Sequence, residues 1–157
     1  MRQKFTLNSR SPDVTIRYGR SFANILEERD VVILEGNLGG GKTTFVKGVV
    51  RGLGFAKRVM SPSFVLMRVY KTKKFTVNHF DFYRLGREEI TGLGMEEIIA
   101  SPGSLNVIEW GGIYQNELDR FIRIDFRYRN YEKRDLIFSF KGYSDKRYKK
   151  IKAALIN

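Results

Sequence analysis

Residues Gly36-Asn37-Leu38-Gly39-Gly40-Gly41-Lys42-Thr43 read G-x-x-x-x-G-K-T, and few octapeptides restrict a chain's folding options more. The pattern is a phosphate-binding loop only where a strand delivers it and a helix continues from it. Both flanks comply. Upstream, Val31-Val32-Ile33-Leu34-Glu35 is a β-branched apolar run of the buried-strand type. Downstream, Phe45, Val46, Val49, Val50 and Leu53 recur at helical spacing. Glycines let backbone N–H groups turn inward around an anion, and the helix N-terminus adds positive partial charge at the same point. The Lys42 ammonium can reach β- and γ-phosphates, and the Thr43 hydroxyl can ligate Mg²⁺.

The chain's 157 residues suit one α/β domain over 1–157 and leave no room for a second full domain beside it. With no cysteine, disulfides and thiolate metal sites are excluded. The opening Met1-Arg2-Gln3-Lys4-Phe5-Thr6 lacks the apolar core of a signal peptide. No run approaches the roughly 20 apolar residues of a membrane span, so a cytoplasmic protein is expected. Charge is more distinctive: 29 Lys and Arg against 17 Asp and Glu, net +12. From Arg120 to Lys152 there are twelve basic and four acidic residues. Such a field suits a polyanion, whether nucleotide, tRNA or an acidic protein surface. It also suits a merely solvated face, because charge alone names no partner.

Taken in order, residues 3–8 form a short strand or a loose arm. Ser11-Pro12-Asp13 opens a helix, with Ser as N-cap and Pro at the first position. Val14, Tyr18, Phe22, Ile25 and Leu26 carry its apolar stripe to about Glu28. Gly52 and Gly54 end the helix after the loop. Phe64–Tyr70 and Phe75–Asp81, joined by Lys71-Thr72-Lys73-Lys74, predict an antiparallel strand pair and therefore a mixed sheet. Two short helical pieces follow between Arg87 and Ala100, then a buried-type strand Ser104–Trp110 broken by Gly111-Gly112. Phe121–Arg129 and Leu136–Phe140 alternate apolar with polar residues, and Tyr143–Ile156 is a basic terminal helix. The expected fold is a three-layer α/β P-loop fold with a mixed, partly parallel sheet and Val31–Glu35 at its centre.

Hydrolysis needs acids near Mg²⁺ and a group that positions water. Glu109 ends a hydrophobic strand in the manner of a Walker B acid, and Asp81 ends another. An acid at a strand end is often only a cap for the next turn, but the two together with the loop make a site. His79, the sole histidine, precedes Asp81 by two residues and shares its strand face; a packed or hydrogen-bonded structural role is its simplest reading. Trp110, the sole tryptophan, follows Glu109 and either closes over a nucleotide or fills the core edge.

The loop, then Ser61-Pro62-Ser63-Phe64-Val65-Leu66, then His79-Phe80-Asp81-Phe82-Tyr83-Arg84-Leu85, then Ile108-Glu109-Trp110 resemble the TsaE (YjeE) family, the small ATPase of bacterial tRNA threonylcarbamoyladenosine synthesis. The resemblance covers about residues 11 to 140. It implies that Lys42 and the loop residues Asn37, Leu38, Gly39, Gly40, Gly41, Thr43 and Thr44 hold ATP phosphates. It implies that Thr43 and Glu109 hold Mg²⁺, that Asp81 is a second essential acid, and that Trp110 lies beside the nucleotide. Ser11 and Arg134 match positions that face the nucleotide. The implied partners are TsaD, which transfers the threonylcarbamoyl group, and TsaB; ATP turnover resets their complex. The chain departs from the family's usual Asp at Asn37, Ala at Gly40 and Thr at Ser63.

The competing enzyme class is a small nucleoside or metabolite kinase, for which Gly111–Asp119 is poor lid material. A GTPase is disfavoured because no Asn-Lys-x-Asp segment occurs. A non-catalytic nucleic-acid binder would leave the loop and both acids without a task.

Overall fold

The computed structural model describes residues 3–156. Met1 and Arg2, the start of the segment read for a leader, and Asn157, the last residue of the expected domain, lie outside it. In chain order the elements are β1 (Lys4–Ser9), α1 (Pro12–Ala23), β2 (Val31–Gly36), α2 (Lys42–Gly52), β3 (Met67–Lys71) and β4 (Thr76–Asp81). There follow α3 (Arg87–Thr91), α4 (Met95–Ala100), β5 (Ser104–Glu109), a 3-10 turn over Gly111–Glu117, β6 (Phe121–Tyr128), β7 (Arg134–Lys141) and α5 (Asp145–Ile156). The strands form one sheet in the order β1-β7-β6-β2-β5-β4-β3. β2 is central and parallel to both neighbours, β5 and β6. β4 runs parallel to β5, while β3 on β4, β6 on β7 and β1 on β7 are antiparallel. The mixed sheet with Val31–Glu35 at its centre is as the sequence predicted.

Strand alternation sorts the core into two layers. Val32 and Leu34 of β2 join α1, α2 and α5 on one face, with Phe22, Phe45, Val49, Phe138 and Ile151. Val31 and Ile33 face the other way, onto Ile90, Met95, Tyr114 and Leu118 from α3, α4, the 3-10 turn and its C-cap. Gly19 and Gly48 allow α1 and α2 to touch. A Cβ on Gly48 would lie 2.3 Å from the Ile16 carbonyl oxygen, and one on Gly19 2.4 Å from that of Phe45.

Several element boundaries differ from the sequence reading: β7 starts at Arg134 instead of Leu136 and α5 at Asp145 instead of Tyr143, and three others differ for visible reasons. α1 stops at Ala23 instead of Glu28; Ile25 and Leu26 still pack inward, but from a turn that leads to β2. β3 starts at Met67, because Phe64–Leu66 is bent back by bonds from Val65 and Leu66 N–H to the Pro62 carbonyl. The break after Glu109 is a 3-10 turn seated on β2, with Tyr114 buried.

α5 is tied to the turn before β2. Arg147 donates to the Asp30 carboxylate at 3.1 Å and pairs with Glu27 at 2.9 Å. The Tyr143 hydroxyl donates to Asp30 at 2.8 Å. Burial, then the neighbouring Asp30 charge, pushes that hydroxyl well above its ordinary titration range.

Candidate active site

β2 reaches the sheet edge at Gly36, whose φ of 137° only glycine adopts without strain. The loop closes at Gly41, in the left-handed region at φ 100°, as the N-cap of α2. No side chain caps that helix, so its first amides are left for an external anion. Lys42 folds back over the loop. Its Nζ donates to the carbonyls of Gly36 (2.6 Å) and Asn37 (3.0 Å) and sits 4.2 Å from the centre of the Trp110 ring. Burial lowers the Lys42 pKa, against the opposing pull of the Glu109, Glu35 and Asp81 carboxylates.

An open cleft of about 260 Å³ lies over this loop, lined by Leu38 to Thr44, Ser61, Ser63, Asp81, Glu109 and Trp110. The two acids are register partners at the ends of adjacent parallel strands, Asp81 opposite Glu109. Each belongs to its own hydrogen-bond set. Glu109 Oε1 accepts from the Thr43 hydroxyl at 2.8 Å and lies 2.8 Å from His79 Nε2. Asp81 Oδ2 accepts from the Ser63 hydroxyl at 2.6 Å, and its Oδ1 from the Tyr83 amide at 2.9 Å. Ser63 in turn meets the Ser61 hydroxyl at 2.7 Å.

The sequence-predicted residues divide between the cleft and its flanks. Leu38, Gly39, Gly40, Gly41, Lys42, Thr43, Thr44, Asp81, Glu109 and Trp110 all line the cleft; Asn37 holds Lys42 through its carbonyl. Arg134 is buried on the β7 side of the loop, close enough that a Cβ on Gly41 would lie 2.5 Å from its Nη1. With Gly39, Tyr128, Asn130 and Tyr131 it lines a second, adjoining hollow. Ser11 stays outside both, capping α1 by accepting from the Val14 amide at 3.3 Å. Its helix follows β1, whose last residue, Ser9, pairs with Arg134, so α1 begins on the same sheet edge as α2. Arg84 of the motif lies outside the cleft and stacks on Phe64. The sequence does not single out Ser61 as a lining residue, and the spacing His79-x-Asp81 points to Asp81, whereas His79 meets Glu109.

Residues 9–136 match the family model for the threonylcarbamoyl adenosine biosynthesis protein TsaE. The chain belongs to the TsaE family. The tRNA threonylcarbamoyladenosine biosynthesis protein TsaE of Treponema pallidum is 41% identical over 72% of this chain and 83% of its own. Its namesake in Bacillus subtilis is 31% identical over 84% and 83%. The crystal structure of Bacillus subtilis YdiB superposes with a TM-score of 0.80 at 26% identity, covering 99% of this chain and 95% of that one.

The residues the family resemblance assigns to Mg²⁺ fit that ion. Thr43 Oγ1 and Glu109 Oε1 are hard oxygen donors 2.8 Å apart. Two adjacent ligands of an octahedral Mg²⁺ at about 2.1 Å stand about 3.0 Å apart. Among the described residues no group of three or more His, Cys, Asp or Glu could hold a metal ion. A site of two protein oxygens completed by phosphate and water is the usual Mg²⁺ arrangement beside a nucleotide.

Proposed function

We propose that the chain, as a single ATPase domain over 1–157, is a Mg²⁺-dependent ATPase of tRNA threonylcarbamoyladenosine biosynthesis that works with TsaD and TsaB in the cytoplasm. The observation that carries this reading is the Thr43–Glu109 hydrogen bond at 2.8 Å. It joins the first turn of the loop helix to a strand-end acid, with Asp81 in register beside it. The pathway is that of the family's name. Among the described residues no helix is long and apolar enough to cross a membrane.

In this reading the loop amides and Lys42 bind the ATP phosphates, and Lys42 exchanges its bonds to the Gly36 and Asn37 carbonyls for phosphate oxygens. Thr43 and Glu109 would hold Mg²⁺, which supplies charge neutralisation to the transferring phosphoryl group. Asp81, fixed by Ser63 and the Tyr83 amide, orients the attacking water. Trp110 covers Lys42 and keeps water from it. Arg134 and the acids stand on opposite sides of β2, since β7 and β4–β5 flank it in the sheet. No arginine is among the residues lining the cleft, so hydrolysis by the isolated chain is expected to be slow, and TsaD–TsaB raise it. The test is ATP turnover with and without a TsaB–TsaD complex: stimulation is expected, and no turnover in either case overturns the reading. Nothing favours a kinase, because the segment after Trp110 is packed down on β2.

The basic segment 120–152 is less uniform than its sequence. Arg123 is held by Asp125 and Gln115, Arg129 by Asp135, and Arg147 by Asp30 and Glu27. Apart from the buried Lys42 and the paired Arg147, the helical layer α1, α2 and α5 carries eight basic and two acidic residues. The opposite layer, α3, α4 and the 3-10 turn, carries one and five. If tRNA or an acidic partner is met directly, the exposed Lys146, Lys149, Lys150 and Lys152 meet it. Their charge reversal then weakens association in a salt-dependent way and leaves nucleotide affinity intact; unchanged association sinks this part.

A further inference from the structure

Glu109 is fastened at one oxygen from two directions. Thr43 comes from α2 and is itself a candidate ligand. His79 comes from β4, within the sheet, and its side chain is fully buried. A carboxylate oxygen only accepts, so His79 Nε2 is the donor. Nδ1 is also buried, with no hydrogen-bond partner. A purely structural histidine in a core gains nothing from an orphaned ring nitrogen; an apolar residue would avoid its desolvation cost. The ring is kept by its other edge, the one that meets Glu109. The geometry supports this. His79 pairs with Val107 across β4–β5, two residues before the Asp81–Glu109 pair. The Tyr70 ring packs against the imidazole, 6.1 Å between centres. The donor is thus placed by strand register and by packing, independently of the loop.

We propose that His79 is a positioning residue for the metal site. It holds Glu109 by Oε1, so that the carboxylate keeps one orientation toward the cleft whatever the Thr43 hydroxyl is doing. The inference rests on the Mg²⁺-dependent reading above and adds a residue that the reading does not need. Partners of this kind, hydrogen-bonded to a metal's own ligand, typically change metal affinity by about 10- to 100-fold when removed.

The test compares ADP affinity with and without Mg²⁺, by calorimetry, in the wild type, His79→Leu and His79→Gln. In His79→Leu the gain in affinity that Mg²⁺ brings should shrink by about 10-fold or more, while affinity for metal-free ADP stays as in the wild type. His79→Gln, whose amide N–H sits where Nε2 does, should recover most of the gain. A purely structural role would lower both affinities together and would not be rescued by Gln; either result overturns the proposal, as does an unchanged Mg²⁺ gain in His79→Leu. Should His79→Leu not fold, His79→Gln and His79→Asn replace it. Asn is too short to reach Glu109 from this register, so equal Mg²⁺ gains in the two variants overturn the proposal as well. A wild type that binds ADP without any help from Mg²⁺ brings down the function reading itself, a result separate from all of these.

Discussion

Glu109 and Asp81 end neighbouring parallel strands in the same register, yet they are supported in unlike ways. Glu109 is held by a helix and by the sheet, through Thr43 and His79. Asp81 is held by a loop, through Ser63, whose own partner Ser61 lies two residues away in the same loop. Both side chains are almost wholly buried, at 3% and 6% exposure, so burial does not separate them; their neighbours do. A carboxylate braced on two rigid elements suits a fixed ligand. One braced on a loop suits a group whose position changes with what occupies the cleft. Identical backbone placement has been given two different surroundings by the side chains around it.

The largest effects should come from deleting the acids. Glu109→Ala and Asp81→Ala should each retain much of the nucleotide binding and lose hydrolysis by about 100-fold or more, roughly 2.7 kcal/mol. Only Glu109→Ala should also abolish the contribution of Mg²⁺ to ADP affinity. Single-turnover hydrolysis and calorimetry, with TsaB–TsaD present for the former, read the two quantities. Wild-type rates in both variants would refute the mechanism, and equal losses of Mg²⁺ response would erase the distinction between the acids.

Removing the hydroxyls that hold them should be milder. Thr43→Ala should weaken Mg²⁺-ADP binding by about 10-fold or more, because it removes a proposed ligand as well as a bond to Glu109. Ser63→Ala, which removes one charge-assisted bond of about 1.5–3 kcal/mol, should slow hydrolysis by about 10-fold and leave Mg²⁺-ADP affinity unchanged. A fall in affinity for Ser63→Ala would show that Asp81 belongs with the metal after all. The smallest effect should be Ser63→Thr, which restores the family's usual residue while keeping the hydroxyl, with a rate change of about 2-fold or less, within the scatter of an added methyl group. A large change would mean that the methyl, and not the hydroxyl, decides how this loop sits.

Much of this was legible in the sequence for a simple reason. The loop, its flanking strand and helix, and both acids are local patterns, and alternation plus the short 71–74 turn sufficed to predict a mixed sheet. The boundaries that moved did so through contacts that pattern cannot see. Phe64–Leu66 looks like a strand by composition but is turned by bonds to Pro62. Arg147 looks like one more cation of a basic helix, but it is spent on Asp30, 117 residues earlier in the chain. His79 read as a packed or hydrogen-bonded structural residue, but its partner, Glu109, lies 30 residues away and could not be named. In each case the deciding partner is fixed by topology, and no local period encodes it.

The position of β2 also bears on how the chain is made. Its hydrogen-bonded neighbours are β5 and β6 alone, and the turn that leads into it is clamped by α5. A nascent chain that has emerged only through the loop and its helix has the octapeptide but no sheet on which to set it. The partners of β2 arrive with residues 104–109 and 121–128, and its clamp comes with the last helix. Contacts this distant in sequence form late and slowly, so the loop is set in its sheet only after β5, β6 and α5 have been made, although its residues precede all three.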